Sequence, residues 1–466
     1  MANPSLAWVS LERPAHILGR DAMASPTIRT PELGQLPEDL REAACTIGAR
    51  LEGAGHQAWI VGGAVRDLAL GLEPKDLDVA TDALPEQVES LFERTTPVGK
   101  AFGTVLVHVG VREGALSIDV EVTTFRSDGV YRDSRRPEEV TYSSSVGEDA
   151  RRRDFTCNAL YLGATGGAFQ DPVQGLEDLR AGRLRCVGEP LRRFEEDGLR
   201  LLRLVRFEAR FGLVPEAESL AGAREARESL GPVSGERVRD ELEGILNSHR
   251  AGAALRRMVS LGLCAQALAV WPRLGVPEQR GELCARALEA LGEPPGLALG
   301  LALLLEPDPT RSGSPDEDLR ACARTGLEAL RPSRELRKRV ESTWRDLDAL
   351  QALLEADSPT RADRLLLSRE PSWEDVVLAL MAWHGAHEGA LLGPDSLQRL
   401  ELWRSERALL GRAELHPEPL LAAADLDRAG IPRGPRWGEL LRELERAQLD
   451  GELTTDDQAR AWLADR

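Results

Sequence analysis

The spacing of apolar residues along this chain changes near Pro172. Before it, short runs rich in apolar and β-branched residues at 58–61, 76–79, 104–109 and 116–123 predict β-strands. After it, leucine recurs at the three- and four-residue spacing of amphipathic helices, and strand signals vanish. We therefore expect a unit of mixed strands and helices, followed by a long helical part.

Helices are also predicted between the first strands. Apolar residues recur at helical spacing over 37–53, and shorter helices are expected at 64–70 and after Pro85. Gly62 and Gly63 lie between a predicted strand and a predicted helix. Because glycine has no side chain, backbone N–H groups and the positive helix end can approach a phosphate at this position.

Composition places the chain among globular proteins. Of its 466 residues, 42% are hydrophobic and 29% charged, and the longest apolar stretch, 296–305, is too short to span a membrane. The first 20 residues lack the pattern of a signal peptide, so we expect a cytoplasmic protein with no membrane partner. A formal net charge of −18 disfavours nucleic acid as a binding partner. Residues 151–210 contain 12 arginines against 9 acids, however, so this segment weakens that objection.

Carboxylates suggest the chemistry. Asp76 and Asp78 alternate along one predicted strand and so share a face, where their like charges call for a divalent cation such as Mg²⁺. Asp119 and Glu121 occupy the polar face of a later strand, and either can join the pair as a third acid. Arg66 lies one helical turn past the glycine pair and can reach the same anion. Three acids beside a phosphate cradle indicate phosphoryl or nucleotidyl transfer.

Six motifs, in order, resemble those of the family of class II CCA-adding tRNA nucleotidyltransferases and bacterial poly(A) polymerases. They are 62–67 (GGAVRD) with 76–81 (DLDVAT), 121–126 (EVTTFR), 152–159 (RRDFTCNA), 171–178 (DPVQGLED), 196–203 (EDGLRLLR) and 236–242. The likeness is dense over about residues 55–250 and thinner beyond. It implies an α+β fold: an N-terminal polymerase-β-like nucleotidyltransferase head with a mixed or antiparallel sheet, followed by all-helical neck, body and tail domains.

The resemblance also implies roles for single residues. Asp76 and Asp78 would be the catalytic carboxylates that hold Mg²⁺, with Glu121 as the expected third catalytic member and Asp119 as the alternative. The expected nucleotide-binding residues are Gly62, Gly63 and Arg66 at the triphosphate, Arg153, Asp154 and Asn158 at the sugar and phosphates, and Glu196, Asp197, Arg200, Arg203 and Arg206 in or beside the base-templating motif.

Donor and acceptor chemistry explains how such a motif chooses a base. Asp197 and Arg200 are predicted near one face of a helix, with Arg203 or Glu196 one turn away. An aspartate accepts from an exocyclic amine and an arginine donates to a ring nitrogen or carbonyl, and both adenine and cytosine present that pair of groups. The resemblance therefore implies selection of ATP and CTP without a nucleic-acid template.

Five segments are expected: a flexible extension (1–35), the catalytic head (36–175), a base-templating neck (176–250), a helical body (251–410) and a helical tail (411–466). The body resembles a phosphohydrolase scaffold that has lost its metal site. Glu306 stands about where a His-Asp pair of metal ligands would be expected, and Cys284 stands where a histidine would be needed. The tail is similar to the segment with which the family grips the distal part of tRNA, its elbow.

The expected function is addition of C and A residues from CTP and ATP to the 3′ end of tRNA, with release of pyrophosphate. A polar, mobile loop at 127–149 has the length expected of an enzyme that adds all three nucleotides. A poly(A) polymerase, or an enzyme that adds only CC or only A, shares every catalytic motif. A non-catalytic RNA-binding protein is a more distant alternative, and the sequence leaves the oligomeric state open.

Overall fold

The computed structural model describes residues 28–97, 103–111, 116–127, 141–306 and 317–466. The chain forms two compact units: Met1–Ile245 with Arg257–Ala267, and Leu246–Arg256 with Leu268–Arg466. Most of the predicted extension (1–35) lies outside the described residues, but a short 3₁₀ helix spans Leu33–Gln35. Within the described part of the chain, no helix is both long enough and apolar enough to cross a membrane.

All β-strands of the described residues belong to the first unit. They are β1 (Ala58–Val61), β2 (Asp78–Thr81), β3 (Thr95–Pro97), β4 (Thr104–Val111), β5 (Leu116–Thr124), β6 (Arg126–Ser127), β7 (Thr141–Tyr142), β8 (Tyr161–Gly163), β9 (Phe169–Gln170), β10 (Arg183–Leu184) and β11 (Val214–Pro215). Seven form one sheet in the order β3-β4-β5-β2-β1-β8-β9. Within it β2 and β5 are parallel and the other pairs antiparallel, so the predicted mixed sheet is confirmed.

Two small strand pairs lie outside this sheet: β6 with β7, antiparallel, and β10 with β11, parallel. The prediction that strands end near Pro172 was therefore wrong for β10 and β11. Each has only two residues, which is too short to show the alternation from which strands are predicted.

The helices of the described chain up to residue 267 are α1 (Glu38–Gly53), α2 (Gly63–Ala69), α3 (Pro85–Leu91), α4 (Val146–Arg151), α5 (Gly175–Arg180), α6 (Pro190–Glu196), α7 (Leu199–Phe211), α8 (Ala217–Glu225), α9 (Gly235–Leu246), α10 (Ala251–Ser260) and α11 (Cys264–Ala267). α1 buries the predicted residues Leu40, Ala44, Ile47 and Leu51 and packs on β1, β4 and β5. α7 buries its leucines and Phe207, keeps three of its arginines partly exposed, and exposes the fourth, Arg210, by about half of its side chain (46%). α1 thereby covers part of one face of the head sheet. The arginines of α7 place several guanidinium groups along that helix.

The predicted loop 127–149 includes regular secondary structure at its C-terminal end. Residues 128–140 lie outside the described residues, but β7 and α4 occupy the segment from Thr141 to Arg151. The prediction of one continuous loop was therefore wrong for 141–149. The two-residue β7 and the six-residue α4 are both too short to give a periodic signal.

The second unit is helical. Its remaining helices are α12 (Pro277–Ala290), α13 (Gly296–Leu305), α14 (Glu317–Ala329), α15 (Arg334–Glu355), α16 (Arg361–Ser368), α17 (Trp373–Ala386), α18 (Pro394–Leu409), α19 (Arg412–Leu415), α20 (Ala423–Arg428), α21 (Pro435–Leu449) and α22 (Asp456–Ala464). α13 is nearly all buried, and the Trp344 indole N–H donates to its Ala302 carbonyl at 3.1 Å. Buried leucines of α20, α21 and α22 form a separate apolar cluster near the C-terminus.

Candidate active site

Two predicted acids are direct neighbours in the sheet. Asp78 begins β2, and its Cα partner on the parallel strand β5 is Glu121. Side chains of paired residues point to the same face of a sheet, so the two carboxylates lie side by side. Asp76 was predicted within this strand, but β2 begins only at Asp78. Asp76 thus approaches the site from the segment that leads into β2.

The glycine pair lies against both aspartates. Gly62 has a positive φ of 70°, and a Cβ there would be 3.4 Å from Oδ2 of Asp78. A Cβ on Gly63 would be 3.6 Å from Oδ1 of Asp76. Because Gly63 starts α2, the turn between β1 and α2 brings backbone N–H groups and a helix start close to the two acids.

Asp78 experiences the electrostatic cost of this arrangement. Burial raises its pKa, and the negative charges of Glu121 and Asp76 raise it further, to about 6, although Arg153 acts in the opposite direction. Within the described residues, no three acid, histidine or cysteine side chains already converge as metal ligands. The fit of the three acids to a divalent cation rests instead on their oxygen chemistry and on their mutual repulsion, which a bound cation would relieve.

Asp119, the alternative third acid, has a different partner. Its Oδ1 lies 2.6 Å from Nδ1 of His108, the residue opposite it on β4, and its side chain is 57% exposed. The other ring nitrogen of His108 lies 2.8 Å from the Thr96 hydroxyl. This pairing leaves Glu121 as the acid in register with Asp78.

Arg153 faces the glycine turn. Its Nη1 lies 3.7 Å from the position of a Cβ on Gly62. Asp149 and Tyr161 hold it there, because its Nη2 donates to Asp149 at 3.0 Å and its Nε to the Tyr161 hydroxyl at 2.9 Å. A fixed guanidinium therefore lies beside Asp78 at the turn.

Asp154 and Asn158 connect two arginines. Asp154 accepts from the Phe155 amide and the Asn158 side chain on one oxygen, and from Arg203 at 2.7 Å on the other. Burial would raise the pKa of Asp154, but the nearby Arg203 and these hydrogen bonds lower it to about 2. Asn158 in turn accepts from Nη1 of Arg66 at 2.8 Å. The connection runs from Arg66 on α2 to Arg203 on α7.

Arg66 is less accessible than predicted. It is 5% exposed, and its Nε and Nη2 both donate to Oδ1 of Asp67. Its guanidinium also lies over the ring of Phe211, 4.4 Å from the centroid. Nη2 nevertheless lies 3.7 Å from a Cβ position on Gly63, so Arg66 lies against the glycine turn.

The templating residues do not share one helix as predicted. Glu196 ends α6, Asp197 is extended with φ −149° and ψ 101°, and α7 starts only at Leu199. The helix is interrupted here, where the backbone packs closely against another segment. A Cβ on Gly198 would be 1.9 Å from the Ser229 carbonyl oxygen. Asp197 and Glu196 therefore precede the helix that carries the arginines.

Each templating side chain has a protein partner. Nη1 of Arg200 donates to Glu196 and to the Arg193 carbonyl, both at 2.8 Å, and its Nη2 donates to the Arg152 carbonyl at 3.1 Å. Asp197 accepts from Arg237 at 2.8 Å. The template turn, which we define as residues 196–200, is thus held in one conformation.

Arg206, the last predicted site residue, binds Glu241 through Nε at 2.6 Å. Its guanidinium also lies 4.7 Å from the centroid of the Phe207 ring. Glu241 is 3.9 Å from Arg203 as well, so one acid on α9 serves two arginines of α7. Arg206 therefore helps to hold α7 in place.

Sequence reasoning missed Asp149, Tyr161 and Glu241 as partners of site residues. For Asp149 a signal was present, since it lies three and four residues before Arg152 and Arg153. Tyr161 gave no such signal, because its contact with Arg153 depends on how β8 pairs in the sheet. Glu241 was noted only as part of a motif.

Comparison with known proteins identifies the family to which the chain belongs. Residues 58–185 match the family described as Poly A polymerase head domain, and residues 212–273 match the one described as Probable RNA and SrmB- binding site of polymerase A. The crystal structure of the Bacillus stearothermophilus CCA-adding enzyme in complex with CTP is similar, with a TM-score of 0.70 and 28% identity over 92% of this chain and 98% of that one. Fold and site define a nucleotidyltransferase of the poly(A) polymerase class.

Two relatives narrow the class. The CCA-adding enzyme of Lacticaseibacillus paracasei is 32% identical over 426 residues, which cover 89% of this chain and 94% of that protein. The CCA-adding enzyme of Bacillus pumilus is 42% identical over 210 residues, so the chain matches half of that protein's length. The chain belongs to the CCA-adding enzyme family. The expected family and α+β fold class are thus confirmed.

Proposed function

We propose that this protein adds C, C and A to the 3′ end of tRNA, using CTP and ATP and releasing pyrophosphate. The observation that carries the proposal is the pairing of Asp78 with Glu121 beside the Gly62–Gly63 turn, with Asp76 against the same turn. Family membership favours this activity over a poly(A) polymerase. In the reaction, the 3′-hydroxyl of the RNA attacks the α-phosphate of the incoming nucleotide.

A divalent metal ion is a general requirement of this nucleotidyltransferase family, and we propose Mg²⁺. Asp76 and Asp78 would hold it, with Glu121 as the third acid. When bound, such an ion neutralises phosphate charge and activates the attacking hydroxyl. The raised pKa of Asp78 supports this assignment, because the acids repel one another in the absence of a positive charge.

The residues at the glycine turn would bind the triphosphate. Gly62 and Gly63 would let backbone N–H groups approach a phosphate, and Arg153 would contribute its guanidinium, whose Nη1 lies 3.7 Å from a Cβ position on Gly62. Arg66 would stabilise the turn. Asp154 already accepts four hydrogen-bonding or ion-pair contacts, so its proposed part in reading the ribose is to hold Asn158 and Arg203 in place.

The template turn would select the base. Asp197 accepts from the exocyclic amine of cytosine or adenine, and Arg200 donates to the acceptor beside it. Glu196 orients Arg200, and Arg203 and Arg206 fix α7 relative to Asp154 and Glu241. The contacts seen for Asp197 and Arg200 support this role, because a pre-organised pair loses little freedom when a base binds.

The RNA would be held by the helical part of the chain. The match of residues 212–273 to an RNA-binding family supports a contact with the acceptor end, and we propose that the tail at 411–466 binds the tRNA elbow. Within the two compact units, the division into head (36–175), neck (176–250) and body (251–410) stays our proposal. A cytoplasmic location is proposed because tRNA is the substrate.

The proposal is tested with purified protein, Mg²⁺ and labelled CTP and ATP on three tRNA primers: one that lacks CCA, one that ends in C and one that ends in CC. Addition of the missing nucleotides, followed by a stop, is the expected result on each primer. Addition of CC alone, or of A alone to the third primer, would reassign the enzyme to a split pathway. A long A tail would make it a poly(A) polymerase.

A further inference from the structure

Three arginines surround one buried carboxylate behind the glycine turn. Asp149 on α4 has a side chain only 1% exposed. It accepts from Nε of Arg152 at 2.9 Å, from Nη2 of Arg153 at 3.0 Å and from the Tyr161 hydroxyl at 2.7 Å, and the Arg126 amide lies 3.4 Å away. We call these five residues the arginine cluster.

Positive charge exceeds negative charge in the arginine cluster. Three guanidinium groups face one carboxylate, and Nε of Arg126 has no hydrogen-bond acceptor among the residues that the structure describes. Burial lowers the pKa of Arg126 to about 10, and the charge of Arg152 acts in the same direction. Burial of Asp149 is outweighed by Arg153 and Arg152, which lower its pKa to about 2. Arg153 is the member of this cluster that lies at Gly62, where its guanidinium can bind an anion.

The cluster is attached to the sheet at the glycine turn. Tyr161 is the Cα partner of Val61, the residue directly before Gly62. Its hydroxyl donates to Asp149 and accepts from Arg153, and its ring lies 5.1 Å from the Arg153 guanidinium carbon. Asp149 and Tyr161 thus fix Arg153 at the distance from Gly62 described above.

Asp149 also reaches the template turn through Arg152. The Arg152 side chain binds Asp149, while its carbonyl oxygen accepts from Nη2 of Arg200. Without the carboxylate, Arg152 and Arg153 would repel each other and would lose their shared acceptor. One buried acid therefore fixes an arginine at the phosphate side and the backbone that supports an arginine at the base side.

We propose that Asp149 is a positioning residue for nucleotide binding, which acts through Arg153 on the triphosphate of both CTP and ATP. The proposal rests on the function proposed above. Because the triphosphate is common to both nucleotides, loss of Asp149 weakens the binding of each by the same factor. A residue needed only for folding would lower stability and leave the Michaelis constants unchanged.

The test is steady-state kinetics of Asp149→Asn with saturating tRNA primer. The amide keeps the shape but turns a donor toward the arginines. KM for CTP and for ATP should each rise by about tenfold, the effect of losing a hydrogen bond to a charged group, with kcat changed by less than about threefold. Unchanged KM values in a folded variant would overturn the proposal.

A double variant shows whether Asp149 acts through Arg153. Arg153→Met alone should raise both KM values, and adding Asp149→Asn should then raise them by less than about twofold. Independent, multiplying effects would contradict the proposal. Asp346→Asn is the matched control, since Asp346 is also buried and bonded to an arginine and a hydroxyl, Arg345 and Ser372, in the second unit. It should lower the melting temperature and leave KM unchanged.

Tyr161→Phe decides the question if Asp149→Asn does not fold. It removes the hydroxyl between Asp149 and Arg153 and should raise both KM values by about threefold. Wild-type KM values for this variant would overturn the proposal. Wild-type products on the three primers test the proposed function separately: an enzyme that adds only A would refute CCA addition, while its KM for ATP would still test Asp149.

Discussion

Asp78 and Glu121 are Cα partners on the parallel strands β2 and β5. This is the one parallel pairing in the seven-stranded sheet, and it sets two acids from distant parts of the sequence on the same face. Asp119 lies on the same face of β5 but is paired with His108. The strand register therefore favours Glu121 over Asp119 as the third catalytic acid, a choice that the sequence leaves open.

This register predicts unequal effects of three substitutions. Asp78→Asn should reduce kcat for CTP addition by about a thousandfold or more, because a catalytic metal site supplies several kcal/mol. Glu121→Gln should cost about tenfold to a hundredfold, and Asp119→Asn less than about threefold. Rates measured over a range of Mg²⁺ concentrations check this. If Asp119→Asn reduced kcat as much as Glu121→Gln does, Asp119 would instead be the third catalytic acid.

The glycine turn predicts a second effect. Ala at position 62 must adopt a positive φ, at a cost of about 1–3 kcal/mol, and its Cβ would contact the Asp78 carboxylate. Gly62→Ala should therefore lower kcat/KM for CTP by about tenfold or more. Gly110→Ala in β4 is the control, because a Cβ there meets nothing within 4 Å. Equal activity of the two variants would refute the role of the turn.

The template turn predicts a change in base choice. Asp197→Asn replaces an acceptor by a group that also donates, so the preference for CTP over UTP should fall by about tenfold to a hundredfold. Competition between the two nucleotides on one primer measures the ratio. Asp240→Asn, at an exposed acid on α9 that pairs with Arg239, is the control. An unchanged ratio in Asp197→Asn would mean that another residue reads the base.

Glu306 predicts how the second unit responds to pH. It is 2% exposed, and its partner Arg320 also binds Asp348, so one guanidinium serves two acids. Burial raises the pKa of Glu306 to about 8, against the attraction of Arg320. The folded form therefore binds a proton more tightly than the unfolded form. The stability that this proton contributes is lost as pH rises through 8.

Glu306→Gln removes the pH-dependent loss of stability, because glutamine does not titrate. The melting temperature of the variant relative to the wild type should increase by about 2 °C or more between pH 6 and pH 9. Glu328→Gln, at an exposed acid on α14, should show no such trend. A constant difference between Glu306→Gln and the wild type across this range would contradict a protonated Glu306.

Much of the head could be predicted because its signals are local. β1 spans Ala58–Val61 as expected, and α1 buries the predicted apolar residues, since a strand before a glycine pair and a helical repeat need no knowledge of distant contacts. The proximity of Asp78 to the glycine turn arises from the pairing of β1 with β2, in which Val61 is the Cα partner of Asp78, and neighbours in sequence commonly pair in this way. What the strands do not reveal is register, which is why Glu121 and Asp119 stayed alternatives.

The features that sequence missed depend on long-range contacts. The helix is interrupted between Glu196 and Leu199, where Gly198 packs on the carbonyl of Ser229, a residue distant in the sequence. Helix propensity alone would continue the helix through this position. Asp149 falls in a stretch that reads as a polar loop, and its burial arises only when Tyr161 is placed in the sheet beside it.

The most direct test of the account is the sequence of the 3′ ends that the wild-type protein makes. A tRNA that lacks CCA is incubated with Mg²⁺ and equal concentrations of all four nucleoside triphosphates, and the products are sequenced. We predict that CCA is added and that extension then stops. Ends with a run of A would contradict CCA addition, and ends with U and G at the frequency of C and A would contradict selection of the base by the protein.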